Sequence, residues 1–175
     1  MPVAGIIDKD VSLAGIFSII CIPERILRAF IISEEEFCMY LDDYGRKWFK
    51  GNLHTHTTVS DGSRSPDEVA ATYRAAGFDF LAFTDHWNPS KTSMQDGLLL
   101  LPGCEYDVGT SVVDGIYHII SIGAQHPEKI IRSSSLTPQN ILDAIHEASG
   151  YAILAHPSWS LNQPAEILKL HGVDA

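Results

Sequence analysis

The chain has 175 residues, 45% of them hydrophobic, which is enough for one domain with a core. Its 22 acidic and 12 basic side chains leave a net charge of -10. That argues against a protein that binds a nucleic-acid backbone, which needs a basic face, but leaves room for a local basic pocket that takes one phosphate group.

Residues 1–46 stand apart from the rest. Val11–Ile22 is the longest apolar run and stops at Pro23-Glu24-Arg25, short of the roughly 20 residues a bilayer span needs. Met1–Asp10 carries Asp8 and Asp10 against Lys9, so it is not the basic start of a signal peptide. A second apolar run, Ile26–Ile32, leads into Glu34-Glu35-Glu36. The segment is expected to be an N-terminal extension packed on a main domain over residues 47–175. Cys21, Cys38 and Cys104 are odd in number and lack metal-ligand spacing, which predicts a reducing, cytoplasmic setting without disulfides.

From Trp48 the pattern becomes regular. Phe49–Thr55 predicts a first strand that delivers His54 and His56. Ser65-Pro66-Asp67-Glu68 predicts a helix start, with Ser65 capping, Pro66 in the first turn and Glu68 closing a capping box. Val69, Tyr73 and Ala76 share a helical face, and Gly77 is a natural stop. Phe78–Thr84 then reads as a strand buried on both faces, as in a parallel sheet. Leu98–Leu101 and Ile116–Ile122 read as further strands. Thr137-Pro138 opens a second helix with Ile141, Leu142, Ile145 and Ala148 on its apolar face, and Tyr151–Ala155 follows as a buried strand ending at His156. A third helix is expected over Pro164–Leu170, with His171–Ala175 opening another strand. A chain that stops inside a repeat is expected to be a fragment of a longer one. Alternating strands and helices predict an α/β fold with a mainly parallel sheet, and polar residues at successive strand ends suit a barrel active site. There is no GxGxxG or Walker-type loop to bind a nucleotide cofactor.

The chemistry concentrates in three motifs, His54-Thr55-His56 with Ser60-Asp61-Gly62, Thr84-Asp85-His86 and Ala155-His156-Pro157, and in the separate Glu105 and His118. Imidazole and carboxylate are ligands of catalytic metals. Two histidines spaced by two along a strand point to one face, and a turn at Asp61-Gly62 can return a carboxylate to the same strand end. His86 is a candidate ligand. Asp85 is a candidate proton carrier or orienting partner, or else a turn or helix-capping residue. Glu105 is a candidate bridging carboxylate, whereas His118, inside an apolar run, reads on its own as a core histidine. His126, His146 and His171 belong to no such motif, and Arg64 and Lys91 read as surface cations more than phosphate binders.

In order and context these motifs resemble the polymerase-and-histidinol-phosphatase (PHP) family from about Trp48 onward. The resemblance implies a distorted seven-stranded β/α barrel, incomplete at its carboxyl end. It also implies two or three divalent ions (zinc, manganese or iron) and hydrolysis of phosphoesters by a metal-activated water. His54, His56 and Glu105 would hold one ion, Glu105, His118 and His156 a second, and Asp61 with His86 a third. The family's final Asp-x-His motif is absent from this sequence. The implied substrate is a small phosphorylated molecule, nucleotides included. The rival expectation is a catalytically silent, accessory PHP-like metal-binding module of a larger protein. Hydrolysis of a C–N bond on similar ligands is a third.

Overall fold

The structure is a computed structural model, which describes residues 40–41, 43–44, 47–111, 115–124 and 130–175. The N-terminal apolar runs, Cys21, Cys38 and His126 lie outside the described residues. Strands β1 (Tyr40–Leu41) and β2 (Lys47–Trp48) form a short antiparallel ribbon. The rest is built from two facing sheets with a helix outside each.

The first sheet holds β3 (Gly51–Asn52), β4 (Phe80–Ala82), β5 (Ser93–Gln95) and β6 (Leu98–Leu101) in the order β3-β4-β6-β5. β3, β4 and β6 run parallel, and β5 folds back on β6. Helix α1 (Pro66–Ala75) makes the crossover from β3 to β4. It starts where the capping box places it, with Ser65 and Glu68 satisfying each other's backbone amides, and the chain leaves through Gly77 at φ 71°. Val69, Ala70 and Tyr73 form its buried face, while Ala76 is exposed. That face packs on Leu81, Phe83, Leu98 and Leu100.

The second sheet, β7 (Gly103–Ser111), β8 (Gly115–Ile122) and β9 (Tyr151–Ala155), is antiparallel throughout. Helix α2 (Pro138–Glu147) uses Thr137 and Asn140 as its capping box and buries Ile141, Leu142 and Ile145 against Cys104, Tyr106, Ile119 and Ala152. Each such aliphatic side chain contributes about 1.5–3 kcal/mol by leaving water. Between the sheets lies a third cluster, Phe49, Phe80, Ala82, Leu99, Leu101, Ile120, Ile122 and Ala155. One parallel bridge, His86 to Glu105, links the two sheets. Gly103 lets the chain cross between them, because a Cβ there would lie 2.7 Å from the Phe83 carbonyl oxygen.

This arrangement corrects the expected seven-stranded β/α barrel. Among the described residues there is no closed barrel, and α1, α2 and the single turn α3 (Pro164–Ile167) are the only helices. The physical reason lies at β7. β7 ends at Ser111 and β8 begins at Gly115, and strands joined that closely must be antiparallel, since a parallel pair needs a long crossover. The closing segment also differs from expectation. His171–Ala175 forms no strand, yet Asp174 N donates to Ala152 O at 2.9 Å and Leu154 N to Ala175 O at 2.8 Å, which lays it along β9. No helix among the described residues is long and apolar enough to cross a membrane.

Candidate metal centre

The first sheet delivers its candidate ligands from loops beyond its strands. β3 ends at Asn52, so His54 and His56 lie past it rather than within a strand to Thr55. Their rings still meet, 4.9 Å apart edge to face. The Thr84 hydroxyl lies 3.3 Å from the Thr55 carbonyl and 2.8 Å from His54 Nδ1. A hydroxyl that donates to the carbonyl accepts from Nδ1–H, which turns the lone pair of His54 Nε2 toward the cluster. Burial drops the His54 pKa to about 4, with His56, His156 and His86 adding to the fall against the opposing charge of Glu105. The ring is therefore neutral at pH 7, as a ligand must be.

The turn 57–62 carries Asp61. Its scaffold is Asp85, which is buried and accepts from Thr57 N at 2.7 Å, Thr57 Oγ1 at 2.8 Å and Ser60 Oγ at 2.8 Å. Gly62 closes the turn on Thr57 O at 2.8 Å, and a Cβ at Gly62 would sit 2.6 Å from the His56 carbonyl. Asp61 Oδ1 then reaches His56 Nδ1 at 2.9 Å, and Oδ2 lies 3.9 Å from His86 Nε2. Asp85 thus braces a turn remote from it in the chain, a role its sequence context does not offer.

The second sheet delivers Glu105 and His118 from strand interiors, where the ladder fixes them. His156 follows β9 at φ 30°, a strained conformation for a non-glycine residue, held by Ser160 N donating to its carbonyl at 3.0 Å. Ser160 Oγ also lies 3.2 Å from His156 Nδ1, which points Nε2 at Glu105.

All five strand-end and strand-interior histidines surround the Glu105 carboxylate, which is 1% exposed. Its Oε1 lies 2.7 Å from His118 Nδ1 and 3.4 Å from His156 Nε2. Its Oε2 lies 2.7 Å from His56 Nε2, 3.7 Å from His54 Nε2 and 3.8 Å from His86 Nε2. Burial alone would raise its pKa, but His118, His156 and His56 with the nearby His54 together hold it far below the usual carboxylate range. For His56, burial lowers the pKa, but Glu105 and Asp61 outweigh it and raise it. The buried Oε2 has no hydrogen-bond partner of good geometry despite three imidazole nitrogens around it. A cation satisfies such an oxygen, and buried polar atoms seldom go without a partner.

Three sets of residues bring their donor atoms within 4.8 Å of one another: His54, His56 and Glu105; His56, Asp61 and His86; and His86, Glu105 and His118. The structure therefore gathers all seven sequence-predicted ligand candidates around one centre, but partitions them differently from the resemblance. His56 and His86 each join two sets, and His156 stands in none, although its Nε2 is 3.4 Å from both Glu105 Oε1 and His54 Nε2.

Residues that the sequence reading passed over also border the centre. Asp107 lies two residues after Glu105 on the same strand face. Trp87 Nε1 donates to its Oδ1 at 2.6 Å and Arg132 to its Oδ2 at 2.8 Å. Burial would raise the Asp107 pKa, yet His86, Trp87 and Arg132 hold it down. The spacing Glu105-Tyr106-Asp107, two carboxylates around a buried tyrosine, was the available signal. Thr84 was another, as a buried hydroxyl next to Asp85-His86. Trp159, exposed, sets its ring edgewise to His118 and His156. Neither a family model nor a curated protein matches this chain.

Proposed function

We propose that this chain is a metal-dependent hydrolase of phosphoester bonds, with the ligand order of the PHP family. The observation that carries the reading is Glu105, a buried carboxylate flanked on both oxygens by imidazole nitrogens, with Oε2 left without an aligned hydrogen-bond partner among the described residues. His54, His56 and Glu105 would hold one ion. Asp61 and His86 would hold another, and Glu105 with His118 and His156 a further one. Zinc, manganese and iron all suit this mixture of imidazole and carboxylate. Such ions, when bound, lower the pKa of water and neutralise charge on phosphoryl oxygens.

The chain's own residues supply the rest. Thr84 and Ser60 orient the rings of His54 and His56, whose Nδ1 lies 3.3 Å from the Ser60 hydroxyl. Asp85 holds the turn that presents Asp61. Its oxygens are committed to Thr57 and Ser60, so positioning replaces proton transfer as its proposed role. Arg132, exposed and anchored on Asp107 beside the centre, would meet a phosphate at the rim.

The test pairs elemental analysis of the purified chain with turnover of p-nitrophenyl phosphate and a phosphodiester, with and without added Mn²⁺. Two or more ions per chain and turnover lost in His56→Ala at unchanged fold are expected. Bound metal without turnover on any phosphoester would instead favour an accessory metal-binding module, and no bound metal would overturn both.

A further inference from the structure

His86, like His56, faces carboxylates on two sides. Its Nε2 looks toward Glu105 and Asp61, at 3.8 and 3.9 Å. Its Nδ1 lies 3.3 Å from Asp107 Oδ1. That nitrogen is buried and has no aligned hydrogen-bond partner among the described residues, so a small ring rotation onto Asp107 is the way to satisfy it. Hydrogen bonds of catalytic groups are commonly long or poorly aligned before substrate binds and tighten with it.

We propose that Asp107 is a positioning residue that fixes His86 as the Nδ1–H tautomer and so turns its Nε2 lone pair toward Asp61 and Glu105. The proposal rests on the reading of His86 as a metal ligand and adds to it the residue that makes the ring a ligand through the correct nitrogen. Three observations support it. Asp107 faces the centre by strand period, two residues from Glu105. Its own two oxygens are fixed, at 2.6 Å by the Trp87 indole and at 2.8 Å by Arg132, so the acceptor is in place before any ion arrives. Trp87 follows His86 at once, at φ 56°, with its amide donating to Glu105 O at 3.0 Å. One short segment therefore carries both the ring and the indole that locks the ring's partner. A carboxylate on the second nitrogen of a metal-binding imidazole sets its tautomer and raises its affinity.

The experiment reads the His86 ring directly. Two-bond ¹H–¹⁵N spectra of the metal-free, ¹⁵N-labelled 175-residue chain at pH 9, where imidazole is neutral, should show Nδ1–H at His86. Asp107→Leu, similar in shape but without an acceptor, should shift the ring to Nε2–H. Asp107→Asn, which keeps an oxygen, should restore Nδ1–H. Zinc titration against a chromophoric chelator should then show one ion bound about 10–100-fold more weakly in Asp107→Leu alone. An Nε2–H ring in the wild type overturns the proposal even if Asp107→Leu fails to fold. So does a ring or a zinc affinity that Asp107→Leu leaves unchanged. A wild-type chain with Nδ1–H at His86 and no zinc binding supports the tautomer selection and sinks the hydrolase reading instead.

Discussion

The two sheets supply the same centre by different physical means. The antiparallel sheet places Glu105 and His118 in strand interiors, where ladder bonds, on one side of β7 and on both sides of β8, fix the backbone and the pleat fixes the face. The parallel sheet stops short of its ligands. His54, His56, Asp61 and His86 all lie in segments outside the named strands, and their geometry depends on side-chain hydrogen bonds from Thr84, Asp85 and Ser60. A ligand on a ladder inherits the stability of the whole sheet. A ligand on a turn inherits only that of a few bonds, and can be lost without the fold.

The sharpest way to break this comparison is Asp85→Ala. It removes one acceptor group that takes three bonds from Thr57 and Ser60 inside the protein. Hydrogen bonds to a charged group are worth about 1.5–3 kcal/mol each, and because they share one acceptor the expected loss is about 4 kcal/mol rather than their sum. Urea unfolding measures that loss. Hydrogen exchange measures its location, with amides of residues 57–62 losing protection and those of residues 116–122 keeping theirs. The bound ion count should fall with it, while Glu105 and His118 keep their contact. If both regions lost protection equally, the two sides would be one cooperative unit and the contrast would fail.

The same contrast explains which features could be read in the sequence. Capping boxes are local, so Ser65-Glu68 and the Thr137 start of α2 were legible residue by residue. Continuous apolar runs marked β4 and β6, where burial on both faces leaves no polar position to confuse the pattern, and also β9, although its Tyr151 is exposed and Ile153 and Leu154 are only half-buried. β7 was not legible. Gly103–Ser111 mixes glycine, glutamate and aspartate with Tyr106 and Val108 because one of its faces lines a polar centre. That hid a long strand, and with it the antiparallel pairing of β7 and β8. The candidate ligands were legible as residue types in motifs. Their sharing was not, since the approach of His56 and His86 to two sets each depends on where the turn 57–62 closes. Asp107, Thr84 and Trp87 were missed because a group that orients a ligand has no spacing rule of its own.

A smaller effect is expected at Thr84→Val. The hydroxyl holds His54 Nδ1 and the Thr55 amide at 2.8 and 3.0 Å, so its loss should cost about 1–2 kcal/mol. Metal affinity should weaken about 10-fold by way of a freed His54 ring. Ser160→Ala is its counterpart on the other side, where Ser160 faces His156 Nδ1 at 3.2 Å. If orientation on the turn side relies more on side chains, Thr84→Val should weaken metal binding more than Ser160→Ala does. Equal losses in a chelator competition would remove the distinction.

The smallest effect sharpens the comparison through pH. The folded His54 pKa of about 4 lies below its ordinary value of 6.5, chiefly because burial disfavours the cation. A neutral ring is then favoured by folding, so its stabilisation is complete above pH 6.5 and fades as pH falls toward 4. His56 and His86 have the opposite sign. Contact with carboxylates raises both, through Glu105 and Asp61 at His56 and chiefly through Asp107 at His86. Their stabilisation is complete below pH 6.5 and fades above it. The metal-free chain should therefore lose stability from pH 6.5 to 4 because of His54, and His54→Gln should show a shallower fall over that window in urea midpoints taken with chelator present. Equal slopes would mean that the buried ring on the turn side takes up its proton without cost, which requires that the loop carrying it already opens in the folded protein. That outcome would strengthen the contrast between turn and ladder while withdrawing His54 from its role as a preformed neutral ligand.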